Sequence, residues 1–145
     1  MEKIKAYGIA LYLIQHKTIK ILLCKSVKSN EKWGFLKGCQ LDNETKEETA
    51  IREFEEESHI LVDKKYLETF LIQENEEKDI GVFLVNGKNI SNLDKFFYKD
   101  ILHTAYLSWE NSKVKFFDIK NLPPIKKKQN QLILKVVEIL TKNLL

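Results

Sequence analysis

Two cysteines, two prolines and five glycines in 145 residues leave little room for several architectures. Cys24 and Cys39 lie far apart and form neither a metal-type nor a redox pair motif, which excludes a disulfide scaffold and points to a reduced, cytoplasmic setting. Long hydrophobic runs are missing too. The longest near the start, Tyr7 to Ile14, is too short to cross a bilayer, and no small-residue cleavage site follows it. No membrane partner is expected. Strong charge of one sign is also absent: the net charge of +3 is too small to argue for binding duplex nucleic acid. There is no internal repeat and no low-complexity linker, and the two prolines are adjacent, Pro123 and Pro124. The chain therefore reads as a single domain, residues 1–145, with 43% hydrophobic residues to build its core.

What the chain has is acid in one place. Residues 38–60, GCQLDNETKEETAIREFEEESHI, hold Asp42, Glu44, Glu47, Glu48, Glu53, Glu55, Glu56 and Glu57, more than a third of the 21 acids. Only Lys46 and Arg52 oppose them. Thr45 followed by Glu48 is a capping-box start for a helix, and Ala50, Ile51 and Phe54 then fall on one side of it. Glu53, Glu56 and Glu57 share a neighbouring strip at i, i+3 and i+4. Like charges so spaced destabilise a helix by roughly 0.2–0.5 kcal/mol per pair. A solvated acidic face would explain the pattern blandly. A bound divalent cation would explain why the repulsion is kept, since hard cations such as Mg²⁺ take oxygen ligands and share substrate phosphates.

The same stretch also reads as Gly38, five residues, Glu44, seven residues, Arg52-Glu53-Phe54-Glu55-Glu56-Glu57 and, two residues on, Ile60. That pattern resembles the signature of the Nudix hydrolases, which cleave nucleoside diphosphates linked to another group. One position departs: His59 stands where the family usually has Gly, at a site suited to a left-handed helix cap. The resemblance implies an α/β fold, a Nudix-type α/β/α sandwich with a mixed sheet. It also implies that Glu53, Glu56 and Glu57 bind Mg²⁺, with Mn²⁺ as a substitute. Glu53 could instead be the base. Arg52 would orient Glu53, Glu44 would be mainly structural, and Gly38 would let the backbone turn tightly before the helix. The plain alternative for Arg52 is a surface ion pair with Glu48 or Glu56.

Around this centre, Ile4–Gln15 and Thr18–Ser26 read as a strand pair joined by a turn at His16-Lys17, followed by a polar loop, 27–32. Trp33, Phe35 and Lys37 lead into the acidic stretch and resemble the loop before the motif in many of these enzymes. Lys37 is placed to meet a phosphate. Trp33 is a substrate contact if it stacks on a base, and otherwise a cap on the core. Residues 66–73 and 80–85 read as strands, the second closed by Asn86-Gly87, a hairpin-type dipeptide. Residues 88–106 show no clean period and suit either a substrate-binding insertion or a short helix over the core; His103 there reads as a surface residue. Leu107-Ser108-Trp109-Glu110 resembles a segment of the dinucleoside polyphosphate hydrolases, which makes Glu110 a second candidate for the catalytic base. A last strand, 113–119, precedes the prolines. Residues 125–145 read as an amphipathic helix with Ile133, Val136, Val137, Leu140 and Leu144 on one face and Lys126, Lys127 and Lys128 at its start.

The expected activity is Mg²⁺-dependent hydrolysis of a nucleotide, with a dinucleoside polyphosphate or the 5′ triphosphate end of RNA as partner molecule. The alternatives are removal of modified nucleoside triphosphates and a non-catalytic nucleotide-binding module.

Overall fold

The computed structural model describes residues 2–28 and 31–143. Among the described residues nine strands form one mixed sheet: β1 (Ile4–Gln15), β2 (Thr18–Ser26), β3 (Trp33–Gly34), β4 (Leu36–Cys39), β5 (Phe70–Gln73), β6 (Lys78–Asn86), β7 (Phe97–Tyr98), β8 (Ile101–Leu102) and β9 (Asn111–Asp118). Their order is β5-β6-β1-β2-β9-β8-β7, with β3 added to β2 and β4 to β1. β1 runs parallel to β6 and antiparallel to β2, which makes the sheet mixed as expected.

β1 is apolar along nearly its whole length because both of its faces are covered. Tyr7, Ile9 and Leu11 face one core with Ala50 and Phe54 of helix α1 (Lys46–Ser58). Ala6, Ala10 and Tyr12 face a second core with Leu132, Ile133, Val136 and Leu140 of helix α2 (Asn130–Asn143). A strand buried on both sides loses the polar half of the usual alternation. The sheet between two helices is the layered architecture that the sequence implies.

Several boundaries shift from the expectation, each for a local reason. Instead of a strand from residue 66, a 3₁₀ turn occupies Lys64–Tyr66, because the Asp63 side chain accepts from the Lys65 N–H. Asn86-Gly87 does not close a hairpin. The Asn86 side chain caps a 3₁₀ turn, Gly87–Asn89, and Gly87 takes no positive φ. Residues 88–106 are neither a loose insertion nor one helix. They form the 3₁₀ turns Leu93–Phe96 and Thr104–Tyr106 around the β7–β8 hairpin. β9 begins at Asn111, and α2 begins at Asn130 after a 3₁₀ turn, Lys127–Gln129. Ile133, Val136 and Leu140 are buried as the spacing predicts, while Leu144 lies outside the described residues. Among the described residues no helix is long and apolar enough to cross a membrane.

Candidate functional site

Helix α1 starts where the sequence places it. Thr45 Oγ1 accepts from the Glu48 N–H at 3.1 Å, and the Glu48 side chain accepts from the Thr45 N–H at 2.9 Å, so two orphan amides are satisfied. It ends at His59, which adopts the left-handed conformation with φ 64° and ψ 13°. His can replace the expected Gly because it is held there from outside the helix. Its Nδ1 donates to the Tyr106 carbonyl at 3.0 Å, and the two rings lie 5.5 Å apart.

Arg52 is fixed on several sides. Its Nε and a terminal nitrogen donate to the two Glu44 oxygens at 2.6 and 3.0 Å, and it also donates to the Cys39 carbonyl at 3.1 Å. This forked hydrogen bond, with the Leu41 N–H and Thr49 hydroxyl also donating to Glu44, holds the Glu44 carboxyl down to about 2. The remaining guanidinium nitrogen donates to Glu56 at 3.3 Å and lies 3.6 Å from Glu53. The surface pair with Glu56 therefore exists, but it is one limb of a larger anchor, and Glu48 is occupied by the helix cap.

Gly38 has a different purpose from the one expected. It sits inside β4, paired with Tyr7 of β1, and its φ is not positive. No tight turn is made there. A Cβ at this position would overlap the Glu53 carboxylate, so the absence of a side chain lets Glu53 lie against the strand. Burial there, together with a hydrogen bond and repulsion from Glu56, pushes the Glu53 carboxyl up to about 7. Glu57 is held apart from these two. Its oxygens accept from the Lys37 N–H at 3.1 Å and from Asn111 Nδ2 at 3.0 Å, and burial pushes it up to about 7. The Cys24 thiol, itself pushed up by burial, packs 3.8 Å from the same carboxylate.

Glu53, Glu56 and Glu57 thus share one strip of the helix, with Glu53 and Glu56 engaged together and Glu57 apart on Lys37 and Asn111. Among the described residues no three His, Cys, Asp or Glu side chains converge as a ready ligand set. The donor chemistry nevertheless fits a hard divalent cation. All three offer oxygen, and burial, which disfavours the ionised form of Glu53 and Glu57, is a penalty that a bound cation would offset.

The other expected contacts divide. Trp33 is only 7% exposed and packs edge-on against Phe117 at 4.7 Å, so the structure shows the core cap and not the base contact. Glu110 lies exposed in the turn before β9, where its charge is felt by Glu57 without a hydrogen bond. Lys37 joins the basic run before the C-terminal helix, together with Lys78, which the sequence did not single out. With Lys78, Lys126, Lys127, Lys128, Ile80 and Gln129 it lines a cavity of about 220 Å³. Asn111 and Lys78 are the residues that sequence reasoning passed over. Each opens a strand, and only the strand register brings it to the site.

The family model for the NUDIX domain matches residues 4–135. The curated proteins contain no match. Among solved structures, the Caenorhabditis elegans Ap4A hydrolase in a binary complex is similar at 20% identity and a TM-score of 0.67, over 96% of this chain and 98% of its own. The NUDIX domain of Shewanella oneidensis NrtR, complexed with ADP ribose, is similar at 16% identity and 0.66, over 97% and 90%. A mutT/nudix family protein from Listeria innocua is similar at 15% and 0.64, over 99% and 98%. These likenesses are likenesses of fold.

Proposed function

Because this chain belongs to the NUDIX domain family and is a hydrolase of phosphoric anhydride bonds, we propose that its substrate is a dinucleoside polyphosphate such as diadenosine tetraphosphate. The 5′ triphosphate end of RNA is a close variant, since it offers the same base and phosphate run. The observation that carries this reading is a cavity lined, among the described residues, by five lysines and no acid; one of these lysines, Lys37, also donates its N–H to Glu57. Burial, and then the neighbouring lysines, lower the Lys78 amine, as expected when like charges wait for an anion. A single diphosphate does not need so many cations. A longer phosphate chain does.

Glu53, Glu56 and Glu57 would hold Mg²⁺, or Mn²⁺ in its place. The metal would offset the charge that develops on the phosphate oxygens and ease deprotonation of the attacking water. The chain's own contributions are distinct. Arg52, anchored by Glu44 and the Cys39 carbonyl, fixes the strip from which Glu53 projects. Glu53 would alternatively, in place of binding the metal, accept the proton from water. Glu110 is the second candidate for that transfer. The Lys37 amide and Asn111 orient Glu57, and the Lys37 amine faces the phosphates. His59 gives no support to a non-catalytic binding module, because it fills the helix cap in the conformation that Gly would take.

The test is a panel of dinucleoside polyphosphates, capped and triphosphorylated RNAs, modified nucleoside triphosphates and nucleotide sugars, compared by kcat/KM with Mg²⁺ and with EDTA. Dinucleoside polyphosphates or RNA ends should lead, and EDTA should abolish turnover. A single modified nucleoside triphosphate far ahead of both would overturn the substrate and leave the metal chemistry standing. Undiminished turnover in the Glu56→Gln and Glu57→Gln variants would overturn the metal ligands.

A further inference from the structure

Trp109 stands at the site with no part in the hydrolysis. It is 83% exposed, more than any other exposed large hydrophobic side chain among the described residues. It directly precedes Glu110 and lies two residues before Asn111, whose side chain donates to Glu57. The turn that carries it is held from several sides. The Val27 N–H donates to the Glu110 carbonyl at 2.9 Å, the Asn111 N–H to the Ser108 carbonyl at 3.1 Å, and Ser112 Oγ to the Lys25 carbonyl at 3.0 Å. Trp109, Ser26, Val27, Lys28 and Glu110 line a shallow cavity of about 160 Å³, and Val27 adds apolar surface to it. An indole kept in water on a braced turn, instead of folded onto the core, offers a preformed face to a flat apolar ring.

The sheet places this face relative to the phosphates. β6 begins at Lys78, paired with Ile4 near the start of β1, and β9 begins at Asn111, paired with Ser26 at the end of β2. Both residues therefore lie at the same end of the sheet, with β1 and β2 between their strands. At that end β1 pairs with β4 and β2 with β3, so these two short strands widen the interval between Lys78 and Asn111. Glu57 accepts from both sides of this interval, from Lys37 on β4 and from Asn111.

We propose that Trp109 is the stacking platform for one nucleobase of the substrate, so that the base rests on the indole, the scissile diphosphate crosses Glu57 and the distal phosphates reach Lys37, Lys78 and Lys126 to Lys128. This rests on the polyphosphate reading for its phosphate half only. Trp33, the only other indole, is buried and cannot serve. Every base has a π-face, so stacking of this kind predicts tolerance among bases and preference for the larger purines.

The experiment uses the whole protein with Mg²⁺ and a methylene-bridged, non-hydrolysable ATP analogue, with inorganic tripolyphosphate as the ligand lacking a base. Binding of the analogue should quench tryptophan emission in the wild type and in Trp33→Phe, and should leave it nearly unchanged in Trp109→Phe, which still binds. Tripolyphosphate should quench none of them. Calorimetry should show Trp109→Ala losing roughly tenfold in affinity for the analogue, a loss within the range of base–aromatic stacking, and none for tripolyphosphate. Hydrolysis by Trp109→Ala should show a raised KM with kcat little changed. Equal loss for both ligands, or unchanged affinity for the analogue, overturns the platform. If diadenosine tetraphosphate and RNA ends are not hydrolysed while the analogue still quenches Trp109, the substrate reading fails and the platform stands.

Discussion

Glu57 shows how one carboxylate is tuned. It is buried against Cys24, accepts from Asn111 and the Lys37 amide, and feels the charges of Lys37 and Glu110. Glu53 lies against Gly38 with Arg52 and Glu56 around it. Both carboxyls hold a proton more tightly in the folded protein than at the ordinary value of 4.5. The folded state is therefore favoured while they are protonated, and that advantage is lost as pH rises from about 4.5 through about 7. Metal-free protein should lose melting temperature between about pH 5 and about pH 8, and Glu57→Gln should flatten that decline. The same variant should lower turnover by orders of magnitude. A decline of unchanged depth in the variant would show that Glu57 is not its source. Gly38 predicts a different separation. Gly38→Ala forces the movable end of Glu53 away, so kcat should collapse while stability falls by about 1–3 kcal/mol, measured by urea unfolding.

Among the elements, helix α1 carries the site, and its two ends are secured differently. The N-terminal box is local, made by Thr45 and Glu48. The C-terminal cap at His59 is not, because its ring is tied to Tyr106, 47 positions along the chain. Two effects oppose each other there. A left-handed non-glycine residue costs roughly 1–2 kcal/mol, and the hydrogen bond to Tyr106 returns about 1 kcal/mol. His59→Ala keeps the strain and loses the bond, so thermal unfolding should show a loss of about 1 kcal/mol. His59→Gly relieves the strain as it loses the bond, and should lie close to wild type. A large loss in the glycine variant would mean that the ring contact with Tyr106 matters more than the backbone.

Across the whole molecule, the C-terminal segment is stitched to the loop that feeds the site. The Trp33 N–H donates to the Pro124 carbonyl, and the Lys126 N–H donates to the Trp33 carbonyl. Gln129 is buried; its Oε1 accepts from the Phe35 N–H at 2.8 Å, and its side chain fills the space that a Cβ on Gly34 would need. On the far side, Gln73 Oε1 accepts from the Leu132 N–H at the start of α2. This stitching carries Lys126 to Lys128 to the cavity that Lys37 shares. Gln129→Leu would leave the Phe35 N–H buried and unsatisfied, at a cost of about 1–3 kcal/mol. Melting temperature should fall, and KM for polyphosphates should rise because Lys37 and the basic segment lose their shared anchor. An unchanged KM in the folded variant would separate the stitching from substrate binding.

The features that were legible in the sequence are those set by near neighbours. The paired strands β1 and β2 follow from runs of apolar and branched residues, and α1 from a capping box and an apolar stripe that is complete within a few turns. The strip of Glu53, Glu56 and Glu57 is a consequence of helical period alone. The features that only the tertiary structure decided depend on strand order and register. Two indoles looked alike in sequence, yet β3 pairs with β2 and buries Trp33, while the turn before β9 leaves Trp109 in water. Lys78 meets Lys37 because β6 runs parallel to β1, which in turn carries β4. Asn111 reaches Glu57 because β9 pairs with β2 beside the helix. Gly38 is glycine because of a carboxylate fifteen residues later, pressed there by the packing of α1 on the sheet. Local spacing determines what a segment becomes. Which distant side chains then share a site is decided by long-range pairing, whose partners no local period encodes.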